Sequence, residues 1–453
     1  MSLRVPVGFR LVLRLPRHCP SSFSLFLRPS HISDRPYSQY LGLLFTMKLL
    51  SSTLVLSSAV FRFSSALSTA AAKSEIRNFV KNVKVPGLQN GMDYVRLGDS
   101  DLVVSRVCMG TMTFGEQNTL DEGVDLLDRC WDEYGINFLD TAEMYPVPTK
   151  PETQGDTDRA VAKFLKSRKR EDVILATKVA GRAERITWMP RKEKSFAMLT
   201  KQQILESVDE SLKRLETDYI DLLQLHWPDR YTGGLFGSED FRPSSYEKAY
   251  EESPPPVPFE EQLEALQELV KSGKVRYIGV SNETPYGVMS MVNLAKQYPD
   301  LYPKIVSIQN NYSLVCRKDF EAGLAEVCYH TDVALLPYSP LAGGSLSGKY
   351  RSGVPDGARL TLFPGFMERY LGSANEAAVN AYCDIAVKAE LTPSELALSW
   401  CYHNEIVAST IIGATSRKQL DENLKAYDIR LSDEVNEQIS QTYKRYTDPT
   451  KSR

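Results

Sequence analysis

Short apolar runs alternate with amphipathic segments from residue 94 to residue 425. The runs have the length and the valine, isoleucine and leucine content of buried strands, whereas the amphipathic segments have helical periodicity. The predicted strands of this series are Val107–Gly110, Asn137–Asp140, Val173–Lys178, Tyr219–His226, Arg276–Val280, Ile305–Gln309, Ala334–Tyr338 and Ala408–Ile412. Helices are predicted at 120–134, 156–167, 200–214, 259–271, 285–298, 318–330, 374–388, 393–403 and 417–425.

Eight strands, each followed by helical sequence, predict a parallel sheet with helices outside it. Eight such units over about 320 residues fit a closed (β/α)8 TIM barrel better than an open doubly wound sheet. An open sheet that binds a dinucleotide would place Gly-x-Gly-x-x-Gly after its first strand, and 110–115 does not match that pattern. Before the barrel, Tyr94–Leu97 and Leu102–Val104 predict a β-hairpin.

Local signals support two of the helix boundaries. Thr119 and Glu122 have the spacing of a capping box, and Gly135 is a natural end for the helix that they open. Thr200 and Gln203 have the same spacing and predict a second box.

The amino-terminal part of the chain has a different composition from the rest. Residues 1–74 hold nine Arg or Lys, many Ser and a single acid, which is typical of a disordered targeting presequence. This predicts a plastid or mitochondrial destination if the presequence is real, and a cytoplasmic one otherwise. A start at Met47 followed by a short apolar run is an alternative that resembles a secretory signal, and an upstream start without function is another. Residues 75–91 are predicted to be a linker, and 92–453 the barrel.

Charge and cysteine content exclude some classes of function. The net charge is -3 for the whole chain, and about -11 remains once residues 1–74 are removed. An acidic body without a basic stripe argues against nucleic acid as a partner.

The apolar run after Met47 is too short and too rich in Ser to span a membrane. Seven Cys without a Cys-x-x-Cys pair predict reduced, mostly buried thiols. The oligomeric state leaves no trace in the sequence.

Polar side chains end three successive predicted strands. Asp140, Lys178 and His226 close the second, third and fourth strands, and Tyr145 lies in the loop after the second. The carboxyl ends of barrel strands meet at one mouth, so these four side chains are expected to share one site. An ammonium beside a phenol lowers its pKa from about 10 and makes Tyr145 a better proton donor. Asp140 would hold Lys178, and His226 would donate a hydrogen bond to a carbonyl oxygen as that oxygen gains charge.

Seven collinear stretches resemble the aldo-keto reductase family, and within it the bacterial Tas-like branch. They are FLDTAEMYPVP (138–148), LATK (175–178), LQLHWP (223–228), YIGVSNET (277–284), IQNNYSL (308–314), PYSPLAGGSLSGKY (337–350) and STIIGATSRKQLDENL (409–424). The resemblance implies a barrel that binds NADP(H) across its mouth and reduces small-molecule aldehydes and ketones. It also implies that Asp140, Tyr145, Lys178 and His226 are the catalytic tetrad.

The resemblance further implies a set of cofactor contacts. Ser281, Asn282 and Gln309 would hold the nicotinamide carboxamide, and Tyr338 would stack on its ring. The pyrophosphate would be lined by Ser339, Leu341, Gly343 and Lys349. The adenosine end would be held by Gly413, Thr415, Gln419, Glu422 and Asn423. Thr111 and Arg359 are further candidates. Since Gly413 and Gln419 are not basic, any cation for the 2′-phosphate must come from Lys349, Arg359, Arg417 or Lys418.

Other interpretations of these motifs are weaker. Residues 343–349 match a P-loop until Tyr350 replaces the required Ser or Thr. Five His, two of them in the leader, give no cluster at metal-ligand spacing. A redox-sensing barrel that binds NADP(H) with negligible turnover is the main alternative, and a lyase with Lys178 as a Schiff-base nucleophile is another. Two long inserts, 180–199 and 227–258, follow the third and fourth strands, and the aromatic residues of the second are either pocket walls or loop packing.

Overall fold

The structure is a computed structural model with two compact units, residues 1–75 and 76–453. It describes residues 9–13, 25–29, 82–83, 91–192, 195–233, 239–351, 353, 355, 357–365 and 367–451. In the first unit, β1 (Phe9–Leu13) pairs antiparallel with β2 (Leu25–Pro29). Most of the predicted presequence and linker lies outside the described residues, and the domain boundaries at 74 and 91 stay predictions.

Eight parallel strands form the central sheet of the second unit. They are β6 (Val107–Gly110), β7 (Phe138–Asp140), β8 (Ile174–Val179), β9 (Ile220–Leu225), β10 (Val275–Ser281), β11 (Ile305–Asn311), β12 (Ala334–Tyr338) and β13 (Thr410–Ile412). From β6 to β12, each strand pairs with the next one along the chain, and β6 also pairs with β13. Each strand lies within two residues of its predicted bounds.

The barrel closes between β12 and the residues just before β13. Leu335 and Val407 form a parallel bridge, and the Ala408 N–H donates to the Leu335 carbonyl at 3.0 Å. The predicted (β/α)8 barrel is therefore confirmed.

A three-stranded antiparallel sheet precedes the barrel and confirms the predicted hairpin. It consists of β3 (Asn82–Val83), β4 (Tyr94–Arg96) and β5 (Val103–Ser105). Apolar side chains around the turn pack with barrel-interior residues in one core cluster, which contains Leu97, Leu102, Phe138, Leu222 and Leu336. At the turn, Gly98 has φ +53° and a Cβ there would lie 2.2 Å from the Val306 carbonyl oxygen, so only glycine fits. The hairpin thus covers the amino-terminal end of the barrel.

Helices surround the sheet, and all of the longer ones bury apolar side chains. They are α1 (Leu120–Tyr134), α2 (Asp156–Leu165), α3 (Lys201–Leu215), α4 (Pro243–Lys248), α5 (Phe259–Lys271), α6 (Pro285–Gln297), α7 (Lys318–Glu321), α8 (Leu324–Thr331), α9 (Arg359–Leu362), α10 (Ser373–Lys388), α11 (Pro393–Tyr402), α12 (Arg417–Lys425) and α13 (Asp433–Arg445). The capping box of Thr119 and Glu122 is present, and Gly135 ends α1 in the left-handed conformation.

The helix predictions need three corrections, and the short helices α4 and α9 were not predicted either. The single helix at 318–330 is two helices, because Gly323 has φ +141° and cannot continue α7. The box at Thr200 is only half formed: Thr200 accepts from the Gln203 N–H, but the Gln203 side chain accepts from the Met198 N–H instead. α13 was not predicted, although Ser432 caps it and Ile439 is buried.

Candidate active site

The four predicted catalytic side chains meet at the carboxyl end of the barrel. Asp140 ends β7, Lys178 is the second-last residue of β8, and His226 directly follows β9. Alternation along the strands places Phe138, Ala176 and Leu222 inside the barrel. Asp140, Lys178 and His226 lie two or four residues further along the same faces, so they also point inward.

Lys178 is the centre of the hydrogen-bond network. Its ammonium contacts the Asp140 carboxylate, donates to the Thr141 carbonyl at 2.9 Å, and lies 3.4 Å from the Tyr145 hydroxyl. Lys178 has no exposed surface, and Asp140 and Tyr145 are also buried. Each of the three N–H bonds of the ammonium therefore has an oxygen acceptor.

For both Lys178 and Tyr145, burial and the nearby opposite charge shift the pKa in opposite directions. Burial lowers the pKa of Lys178 most, but the charge of Asp140, the Tyr145 side chain and the hydrogen bonds to both together outweigh burial and hold the pKa above its usual value. Burial raises the pKa of Tyr145 above 10, and the Lys178 charge offsets only part of this rise. The sequence-based expectation of a net lowering is therefore not met in this structure. Tyr145 instead stays a protonated phenol at neutral pH, which is the form that can donate a proton.

His226 faces Tyr145 across the mouth. The two rings are 5.7 Å apart at 79°, and the Trp227 indole lies 4.9 Å from the imidazole. Burial, and then the nearby Lys178 charge, hold the pKa of His226 well below its usual value. His226 is therefore neutral at neutral pH and carries one N–H that it can donate to a carbonyl oxygen.

Two glutamines that bind Asp140 complete the network. The Nε2 atoms of Gln224 and Gln309 donate to Asp140 Oδ2 at 3.1 and 2.8 Å. Sequence reasoning did not single out Gln224, although it lies two residues before His226 and so on the same inward face. Gln309 was predicted from the family resemblance, but as a cofactor contact.

The other predicted nicotinamide contacts lie next to Gln309. The Ser281 hydroxyl donates to the Gln309 carbonyl at 2.7 Å, and Asn282 donates to Ser281 at 3.0 Å. The Tyr338 hydroxyl donates to Asn282 Oδ1 at 2.6 Å. The structure therefore brings Ser281, Asn282, Gln309 and Tyr338 together, at one side of Asp140.

The loop after β12 carries the predicted pyrophosphate contacts. Ser339 has φ +56° and Gly343 has φ +65°, and Leu341 lies between them. Burial, and then the positive charge of Arg359, lower the pKa of Lys349. Burial also lowers the pKa of Arg359. Neither cation has an ion-pair partner among the described residues. An anion bound here would therefore offset the repulsion between the two positive charges.

The predicted adenosine contacts lie where β13 leads into α12. The Thr415 N–H donates to the Gln419 side chain at 3.0 Å, and Asn423 donates to the Gly413 carbonyl at 3.2 Å. Glu422 is 3.8 Å from Lys418. Of the cations considered for a 2′-phosphate, Arg417 is already paired with Asp125. Thr111 lies elsewhere, bonded to the Asp140 carbonyl at 2.9 Å.

The two inserts are tied to each other beside this mouth. Arg182 of the first insert pairs with Asp229 of the second at 2.9 Å, and the Trp227 indole donates to the Arg182 carbonyl at 2.8 Å. Tyr231, Phe241, Tyr246 and Tyr250 form a chain of ring contacts in the second insert. Phe241 is 54% exposed. Trp227 therefore lines the mouth beside His226, whereas the other aromatic rings described in the second insert pack mainly on one another.

Two kinds of feature are absent from the described residues. No group of three or more His, Cys, Asp or Glu side chains there could hold a metal ion. None of the helices in that part of the chain has the length and apolar content needed to cross a membrane. The six described cysteines are free and buried.

Comparison with known proteins agrees with this geometry. The sequence model of the Aldo/keto reductase family matches residues 106–444. The chain is 44% identical over 360 residues to Protein tas of Escherichia coli (strain K12), covering 79% of this chain and 99% of that protein. It is 40% identical over 284 residues to an aldo-keto reductase of Babesia bovis, covering 61% of this chain and 98% of that protein. It is also 30% identical over 355 residues to a putative voltage-gated potassium channel subunit beta of Schizosaccharomyces pombe, covering 76% of this chain and 91% of that protein. The chain therefore belongs to the aldo/keto reductase family of oxidoreductases.

Proposed function

We propose that this protein reduces aldehydes or ketones to alcohols with NADP(H), and that Tyr145 is the proton donor. The observation that carries the proposal is the Tyr145 hydroxyl, 3.4 Å from a buried ammonium that Asp140 keeps charged. Such a phenol is protonated at rest and has a cation beside it to stabilise the phenolate that forms when its proton leaves.

Each residue of the site has one task in this reaction. The neutral His226 donates an N–H to the substrate oxygen and orients the carbonyl. Tyr145 transfers its proton to that oxygen as negative charge develops on it, and Lys178 stabilises the resulting phenolate. Asp140 holds Lys178. NADP(H), when bound, would supply the hydride that the carbonyl carbon accepts.

NADP(H) is the cofactor that the surrounding residues fit best. Ser281, Asn282 and Gln309 offer polar groups for a carboxamide, and Tyr338 offers a ring beside them. Lys349 and Arg359 are two cations without an acidic partner in the described part of the loop, which suits the phosphates. Lys418, 3.8 Å from its nearest acid, is available for a 2′-phosphate.

Purified protein with NADPH and 4-nitrobenzaldehyde tests the proposal. We expect steady NADPH oxidation that Tyr145→Phe lowers by at least 10²-fold, because the phenylalanine has no proton to donate. Tyr298→Phe, at an exposed tyrosine remote from the mouth, should leave the rate unchanged. Undiminished turnover in Tyr145→Phe would refute the proton-donor role. Tight NADPH binding with almost no turnover on a broad carbonyl panel would instead favour a redox sensor.

We also propose that residues 1–74 direct the protein to a plastid or mitochondrion. Their many arginines and single acid support this destination. Fusion of residues 1–74 to a fluorescent protein should label one of these organelles in plant cells, whereas a fusion of 47–74 should not. A diffuse signal from the longer fusion would contradict the proposal, and entry of the shorter one into the secretory pathway would support the start at Met47.

A further inference from the structure

Gln224 lies beneath the mouth, in contact with both Asp140 and Gln309. Its Nε2 donates to Asp140 Oδ2 at 3.1 Å, and its Oε1 accepts from Gln309 Nε2 at 3.1 Å. Gln309 Nε2 makes a second hydrogen bond, to the same Asp140 oxygen at 2.8 Å. We propose that Gln224 is a positioning residue that fixes the direction of the Gln309 amide, so that Gln309 presents only its oxygen to the cofactor. This inference rests on the proposed function.

The chemistry of the partners determines the direction of both amides. A carboxylate only accepts hydrogen bonds, so Gln224 and Gln309 must both turn their nitrogens to Asp140. The Gln224 oxygen is then available for the second N–H of Gln309. Both N–H bonds of Gln309 are used in this way, and its oxygen is the one hydrogen-bonding atom of the amide left for a ligand.

Packing prevents Gln224 from leaving this arrangement. It has no exposed surface, and it lies in register beside Lys178 on β8 and Gly279 on β10. A Cβ at position 279 would lie 3.2 Å from Gln224 Cγ and 2.4 Å from Ser307 Oγ. The glycine therefore provides the room that the glutamine side chain occupies, and a rotated Gln224 would leave its amide without these partners.

A ligand that faces the Gln309 oxygen must offer a donor. The NH2 group of the nicotinamide carboxamide is such a donor, whereas an acetyl group in its place is not. Without Gln224, one N–H of Gln309 has no partner. The amide can then pivot about its remaining hydrogen bond to Asp140 and turn the free N–H towards the ligand. Discrimination between a carboxamide and an acetyl group should then weaken.

The test compares the binding of NADPH with that of its reduced 3-acetylpyridine analogue, measured by fluorescence titration of the full chain. We take the ratio of the analogue Kd to the NADPH Kd, because a general loss of binding cancels in it. Gln224→Met keeps the length of the side chain but removes both hydrogen bonds. The ratio should fall by roughly five-fold from its wild-type value, the worth of one neutral hydrogen bond. Ser307→Ala, in the same layer of the barrel without a bond to this network, should leave the ratio unchanged.

Gln224→Asn provides a second variant if the methionine does not fold. It keeps an amide that is one methylene too short to reach Gln309, so the same decrease is expected. A ratio within two-fold of the wild-type value in a folded Gln224 variant overturns the inference, even if wild-type protein binds NADPH and reduces the aldehyde. Wild-type protein that does not bind NADPH would overturn the proposed function, and this inference with it.

Discussion

Lys178 carries its charge at a position without solvent contact, and Asp140 is the group that makes this possible. A buried ammonium without a partner would lose its proton, since burial alone lowers its pKa. The charge matters because Tyr145 is itself buried and has a raised pKa. Asp140 therefore supports the Lys178 charge that offsets part of the rise in the Tyr145 pKa, although Asp140 and Tyr145 share no hydrogen bond.

Asp140→Asn should abolish most of the activity without abolishing the fold. The amide cannot hold the Lys178 charge, so the pKa of Lys178 falls and a neutral amine forms as pH rises. We expect kcat/KM for the aldehyde to fall by about 10²–10⁴-fold, with the remaining activity lost at lower pH than in wild-type protein. The measurement is a pH profile of kcat/KM. Asp221→Asn, at a buried carboxylate paired with Arg170 and Arg276, should alter stability but not the profile.

At the scale of elements, the loop with Tyr145 is fastened to the insert after β8. Glu143 accepts from the Ala180 N–H at 2.7 Å and from the Ser207 hydroxyl at 2.6 Å. It also pairs with Arg191 of the insert at 2.7 Å, and both side chains are almost completely buried. This ion pair joins the loop, the insert and α3 beside Tyr145.

Removal of Arg191 should leave a buried carboxylate without its cation. We expect Arg191→Met to lower the free energy of unfolding by about 3–5 kcal/mol, measured by urea denaturation. Arg185→Met, at an exposed arginine of the same insert, should change it by less than about 0.5 kcal/mol. Equal effects of the two substitutions would show that the ion pair does not fasten the insert.

At the scale of the whole molecule, two histidines link stability to pH. Burial holds the pKa of His226 well below 6.5, and burial together with Arg430 lowers the pKa of His403 to about 4. The unfolded chain takes up protons on these groups as pH falls below 6.5, whereas the folded protein does not. Their contribution is fully present at neutral pH and is lost as pH falls from 6.5 towards 4.

Substitution of His403 isolates its share of this pH dependence. Wild-type protein should lose more stability between pH 7 and pH 5 than His403→Gln, because glutamine takes up no proton. Urea denaturation of both proteins at the two pH values gives the comparison. The same loss in both proteins would mean that His403 is not neutral in the folded state near pH 5.

Local regularities were enough to predict the order of the barrel and most of its site. The period of apolar residues predicted eight strands, and the polar residues at their ends predicted Asp140, Lys178 and His226 at one mouth, with Tyr145 beside them. Both kinds of signal lie within a few residues of chain, and strand alternation then fixes which side chains point inward. Thr119 and Gly135 gave the ends of α1 for the same reason.

Contacts between residues distant in sequence decided the closure of the barrel, the hydrogen bonds around Asp140 and the protonation states in the site. Closure depends on Leu335 meeting Val407, 72 positions apart, and the hydrogen bonds of Gln224 and Gln309 to Asp140 depend on the register of strands distant in sequence. The pKa of Tyr145 is raised because burial outweighs the Lys178 charge, and the extent of burial cannot be read from the sequence. The sequence by itself determined which groups enter the site. The tertiary structure decided how these groups are held and which protonation state each has, because desolvation and hydrogen-bond direction arise only once the strands are packed.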